Sequence, residues 1–221
     1  MSKKLMLGAL SAVLPVATFV VAIGVGSASG KVRPHSPVTF VGNLSCNLQG
    51  TLTVSPAAFN GVGSGPWTVT FTGKNNHCKG LPYTTSSGTT ATTPLSQGGE
   101  TLKKSTESFS YSVSGSGALG LLCSDFEHGG PIATPIGFGI TWLGTSPITG
   151  TQLNYPNGGT QYPGLIALIN GSAGGSFTGT ADVLLGYNLV TVNTDCASAA
   201  GLSTLAINHL GGDNLMVGPA F

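Results

Sequence analysis

Ionisable side chains are scarce in this chain, and the stretch LLCSDFEHGG at 121–130 gathers three of them, Asp125, Glu127 and His128, between Cys123 and a glycine pair. Two kinds of chemistry would suit such residues: a metal site, or a pair of carboxylates working as acid and base. In an extended segment Asp125 and Glu127 project from one face at about 6–7 Å from each other, and His128 projects from the opposite face. That carboxylate spacing touches the lower end of the range of about 6.5–9.5 Å used by inverting glycosidases. Two groups that project in parallel from one strand do not flank a bond, however, and three groups split between two faces do not converge on one ion. The stretch therefore reads as an exposed loop positioned by Cys123. Asp125, Glu127 and His128 are the weak catalytic candidates, and no metal site and no cofactor are expected.

The other motifs are weaker still. Residues 115–120, GSGALG, match G-x-G-x-x-G, but a dinucleotide site needs a helix directly after the glycines, and LLCSDFEHGGP shows no helical face. There is no G-x-S-x-G elbow, no H-E-x-x-H and no Walker loop. His35, His77, His128 and His209 are scattered, and only His128 and His209, the latter four residues before Asp213, have an acidic neighbour. Asn43-Leu44-Ser45 and Asn170-Gly171-Ser172 fit the N-glycosylation pattern and are read as incidental. Trp67 and Trp142 lie on the apolar faces of strand-like runs, which favours core packing over a ligand-stacking platform.

The four cysteines, Cys46, Cys78, Cys123 and Cys196, contain no C-x-x-C pair, which argues against zinc. Three disulfide connectivities are open. The expected pairs are Cys46–Cys78 and Cys123–Cys196, because each pair borders strand-like runs within one half of the chain.

Disulfides persist in the compartments that exported chains enter, and the N-terminus points to export. Residues 1–30 have a basic start at Lys3 and Lys4, an apolar run from Leu5 to Val25, and small residues at Ser27, Ala28 and Ser29. That is the anatomy of a signal peptide, with an uncleaved anchor as the rival. Lys3 and Lys4 are two of the eight basic residues, so the remainder carries six basic against seven acidic groups. Near-zero charge excludes the basic surface that nucleic-acid binding requires, and no later segment is apolar and long enough for a transmembrane helix.

The elements that must position these residues alternate with period 2, as half-buried strands do. Cys46, Leu48, Leu52 and Val54 share a face, as do Trp67, Val69 and Phe71; Phe109, Tyr111 and Val113; Ile136, Phe138, Ile140 and Trp142; and Phe177, Ala181, Val183 and Leu185. Leu189–Val192 reads as a further strand. Turns are expected at 55–66, 73–82, 155–159 and 169–175, which are rich in Gly, Pro and Asn, and one helical turn at 195–202 capped by Asp195. The 35 glycines and 13 prolines among 221 residues oppose long helices. Segment 84–108 is almost free of apolar residues and is expected to be a mobile polar loop or exposed hairpin, with Glu100, Lys103 and Lys104 as a solvated patch. The fold class is all-β: an antiparallel β-sandwich or β-barrel of about 8–10 short strands, forming a single secreted domain over 31–221.

A glycine-rich export signal, then S-C-x-L-x-G-T-L-T-V-S-P, then a strand with Gly-x-x-x-x-Cys, and a late Cys followed by Gly-Leu-Ser, resembles small exported proteins of high-GC Gram-positive bacteria. The resemblance implies a stapled exported domain and no activity. The expected role is an extracellular or cell-envelope structural or binding module. The alternatives are a secreted hydrolase using Asp125 and Glu127, and an envelope-associated β-barrel that holds a small apolar ligand or forms a pore.

Overall fold

The structure is a computed structural model that describes residues 38–61, 65–113, 121–144, 150–208 and 214–219. Residues 1–30, expected to be a signal peptide, the glycine motif 115–120, His35, His209 and Asp213 lie outside the described residues. Among those described, the chain is mostly β, with antiparallel ladders and two short helices.

Two long strands begin the sheet, β1 (Asn43–Ala58) and β2 (Trp67–Thr84). Both exceed the expected short runs, and β2 passes straight through the turn expected at 73–82, because Gly73–Asn76 pair with Asn47–Gly50 of β1. Segment 84–108 also differs from expectation. After a turn at 85–89 it forms β3 (Thr90–Thr92), β4 (Ser96–Gln97) and β5 (Glu100–Val113). The physical reason is burial: Leu102 is fully enclosed, and Thr93, Glu100 and Ser105 go inside with it. Glu100 is thus not part of a solvated patch. Ser105 Oγ donates to Asn75 Oδ1, and Asn75 Nδ2 reaches Cys46 Sγ at 3.5 Å, so Ser105 and Asn75 are matched within the core.

The chain continues through α1 (Cys123–His128), β6 (Gly130–Ile132), β7 (Ile136–Gly144), β8 (Thr151–Tyr155), β9 (Gly159–Tyr162), β10 (Leu165–Gly174), β11 (Gly179–Tyr187), α2 (Leu189–Cys196), β12 (Leu202–Asn208) and β13 (Leu215–Gly218). The stretch 169–175, expected as a turn, belongs mostly to β10, with a register shift between Leu168 and Gly171 that absorbs Asn170 at φ 55°. The turn at 155–159 forms as expected. A Cβ on Gly158 (φ 69°) would run into the Ile132 and Thr134 carbonyls, so only glycine fits there.

Three strand positions are each shared by two strands. Both β8 and β9 pair with β10, at its two ends, and β7 and β6 pair with β8 and β9 in turn. Likewise β12 and β13 both pair with β1 and β11. Asn214 fills the gap between them: its backbone N–H donates to Cys46 O at 3.1 Å and its carbonyl accepts from Leu184 N at 2.8 Å. Its side-chain amide accepts the Leu48 N–H and donates to Leu48 O at 3.0 Å. The pairings then run β1, β2, β5, β6/β7, β8/β9, β10, β11, β12/β13 and return to β1.

The alternation places one face inside. Leu48, Leu52, Val69, Phe71, Ile136, Phe138, Ile140, Trp142, Val183 and Leu185 are buried, as expected, and Phe71 stacks on Phe138 at 5.9 Å. Both expected disulfides are present, Cys46–Cys78 and Cys123–Cys196.

Candidate functional site

The stretch 121–130 is helical where an extended loop was expected. Cys123 and Phe126, three residues apart and both buried, form the inner side of α1. Asp125 Oδ2 accepts the Leu122 N–H at 2.7 Å, so this carboxylate closes the helix start, where unpaired N–H groups favour negative charge. On a helix, residues three apart are neighbours and residues two apart are not. Asp125 therefore shares a flank with His128, and Glu127 lies on the other. This reverses the extended arrangement, and again the two carboxylates do not meet. Among the described residues, no group of three His, Cys, Asp or Glu side chains has the geometry to hold a metal ion.

A second helix stands beside the first. The run 189–192, expected as a strand, opens α2, whose N-cap is Asn188: its Oδ1 accepts the Val190 N–H at 2.8 Å. The helical turn expected at 195–202 is displaced toward the N-terminus by this cap, and Asp195 supplies a C-terminal carbonyl rather than a cap. Val192 and Cys196 turn inward, and the Cys123–Cys196 bond, with Cα atoms 5.9 Å apart, joins the two helices.

Beneath α1 lies Tyr187, the last residue of β11. Its ring meets Phe126 edge-on at 6.0 Å. Its hydroxyl shares one proton between the Phe126 carbonyl at 2.9 Å and the Tyr162 carbonyl at 3.1 Å, and accepts from Gln161 Nε2 at 3.2 Å. Burial raises the Tyr187 phenol above its ordinary pKa, while hydrogen bonds with Gln161 and the Gly164 backbone act in the opposite direction. Sequence reasoning missed this residue. Alternation along Ala181, Val183 and Leu185 places Tyr187 inside, but no local signal names the carbonyls that its hydroxyl satisfies. Tyr155, also buried, differs: its hydroxyl has no hydrogen-bond partner.

Comparison with known proteins finds no family model, no curated protein and no solved structure that matches the chain.

The exposed face of the sheet carries Lys74 and Asp182, and it also has a neutral row. One row of paired residues runs Thr204, Thr53, Thr70, Ser110, Gly137, Asn154, Ser172 and Thr180, all at least partly exposed and none charged. A depression of about 640 Å³ opens on this face over Thr70, Ser110, Gly137, Gly139 and Gln152. It offers hydroxyl and amide groups, which can exchange hydrogen bonds with a neutral partner and cannot bind one through charge. Of the two glycosylation patterns, Asn43 and Ser45 are buried, whereas Asn170 is exposed.

Trp142 is a core residue, 4% exposed, packed against Phe40 at 6.5 Å and Phe177 at 6.3 Å. Its Nε1 donates to Thr151 Oγ1 at 3.1 Å, which also accepts the Phe177 N–H at 3.2 Å. Phe40 and Phe177 stack at 5.6 Å, so aromatic rings pack around Trp142, which is the core position expected for it.

Proposed function

We propose that this chain is an exported, disulfide-stapled β-barrel module of the extracellular space or cell envelope, which works by presenting a neutral surface to a partner. The observation that carries the barrel reading is the exposed row itself. It starts at Thr204 in β12, passes through every strand position, and continues from Thr180 to Gly218 in β13. The row thus comes back to the same strand position farther along the chain, which is the stagger that closure with tilted strands requires. An open sandwich has edges and no such return.

Two features support a surface role over a lumenal one. The inward row (Leu205, Leu52, Phe71, Phe138 and Leu153) is buried, and Phe40 and Phe177 pack against Trp142. The outward row carries hydroxyls, the reverse of the apolar outer band that strands need when they face lipid. Paired cysteines support export, since such bonds persist in oxidising compartments.

The test is fractionation of a Gram-positive host expressing the full chain, with mass determination of the product. The expected product lies in the medium or wall fraction and starts near residue 30, with both disulfides formed. Retention in the membrane fraction with residues 1–30 intact would overturn the reading.

A further inference from the structure

We infer that the groove beside Tyr83, at the end where β1 begins and β2 ends, binds a neutral oligosaccharide; this rests on the surface-binding role proposed above. The groove, about 380 Å³, is bounded by the segment before β1, the end of β2 and the turn after it, Thr178 and Pro219. That size falls within the range of about 300–1,000 Å³ typical of small-ligand sites.

Its chemistry is two-sided. Val41, Tyr83 and Pro219 supply apolar surface, and Thr39, Thr84 and Thr178 supply hydroxyls. Val41 is 53% exposed, an aliphatic side chain left in solvent beside a tyrosine ring. Sugar rings have the matching duality, with C–H faces that pack on aromatic and aliphatic groups and a rim of hydroxyls that both donate and accept. None of the described lining residues is charged, so a phosphate, a carboxylate or a cationic peptide would leave its charge unpaired there. A purely apolar ligand would leave the hydroxyls without exchange partners.

The walls are fixed in place before any ligand arrives. Gln97 clamps Val41 through its amide: Oε1 accepts the Val41 N–H at 3.0 Å, and Nε2 donates to Val41 O at 3.2 Å. Gly42 adopts φ 102°, and a Cβ there would strike Thr93 and the Tyr83 ring, so the glycine lets that ring come close to the backbone. On the floor side, Phe40 is anchored by its stack with Phe177 and by its N–H donating to Ser176 O at 2.7 Å. A site with little left to order loses little affinity to ordering.

The experiment is native affinity electrophoresis of the exported chain in gels containing a soluble β-glucan, an α-mannan, an arabinogalactan or, as the charged control, polygalacturonate. At least one neutral polysaccharide should retard the wild type. Tyr83→Ala should weaken that retardation at least ten-fold, and polygalacturonate should have no effect. Val41→Glu, at an exposed position that the fold tolerates, should weaken it comparably and guards against a folding defect in Tyr83→Ala. No retardation by any neutral gel, retardation by the charged gel alone, or equal retardation of wild type and both variants would overturn the inference. An exported chain that no neutral gel retards would refute the groove assignment and leave the surface-module reading standing. A membrane-retained chain would refute that reading, while the gels would still report on the groove.

Discussion

The two ends of the strand cycle are closed by different means. At one end, α1 and α2 lie over the strands, held to each other by Cys123–Cys196 and to the sheet by the Tyr187 hydroxyl. At the other, no helix intervenes: Phe40, Trp142 and Phe177 pack as a ring cluster, and the nearby Cys46–Cys78 bond joins two strands that are already paired. Helices of six and eight residues are too short to persist on their own. The helical end therefore adds a covalent tie and polar pins, the Tyr187 hydroxyl and the Cys123 N–H donated to Phe59 O at 3.2 Å, to the buried Phe126 and Val192, whereas the aromatic end rests on its ring cluster.

That contrast can be broken most forcefully at the aromatic end. Phe177→Ala should cost about 3–5 kcal/mol, since it removes a buried ring and leaves a void between Phe40 and Trp142. The check is the midpoint of urea unfolding. At the helical end, Cys123→Ser with Cys196→Ser opens a loop of 73 residues and should cost about 4 kcal/mol by the chain-entropy estimate. Here the diagnostic is local: hydrogen exchange should lose protection across 189–196 while the β1–β2 ladder keeps it. If that ladder lost protection as readily as the helices, the two ends would not be separate devices.

Two tyrosines sharpen the comparison at smaller scale. Tyr187→Phe strips the partner from two carbonyls and Gln161, and should cost about 1–3 kcal/mol in urea unfolding. Tyr155→Phe should be neutral or stabilising by up to about 1 kcal/mol at pH 7, because the hydroxyl it removes is buried without a partner. Burial first, and the Asp182 carboxylate second, push the Tyr155 phenol far above its ordinary pKa. The folded chain thus keeps a proton that the unfolded chain releases near pH 10. Its contribution is complete below about pH 10 and declines as pH rises beyond it. A series of urea midpoints from neutral to alkaline pH should show a shallower alkaline decline for Tyr155→Phe than for wild type.

Much of the strand face assignment was legible in the residues. Ile136, Phe138, Ile140 and Trp142 alternate with Gly137, Gly139 and Thr141, and the first set is inside. Much of the candidate site was not. Cys123 and Phe126 mark a helical face that spans only four residues, too brief for a period to register, and Asp125 read as a catalytic candidate although its carboxylate caps the turn. Leu189–Val192 looks like a strand by composition, and Asn188 overrides that tendency by capping Val190. Segment 84–108 looked polar and loose because hydropathy does not register that Glu100 and Ser105 are taken inside by their neighbours.

The sequence by itself determined which residues of β1, β2, β7 and β11 face inward and where the 155–159 turn falls, because pleating and turn geometry act over two to five residues; the cysteine pairs, 32 and 73 residues apart, were an expectation that the fold had to complete. Only the tertiary structure decided that the pairings return to their start, that two strands share one position and that the helical end is pinned by a phenol. Each of these depends on groups far apart in the chain, as when the Asn214 amide serves the backbone of Leu48, 166 residues away. A local pattern carries no record of such a partner, since the hydrogen bond exists only once the strands between have brought the two together.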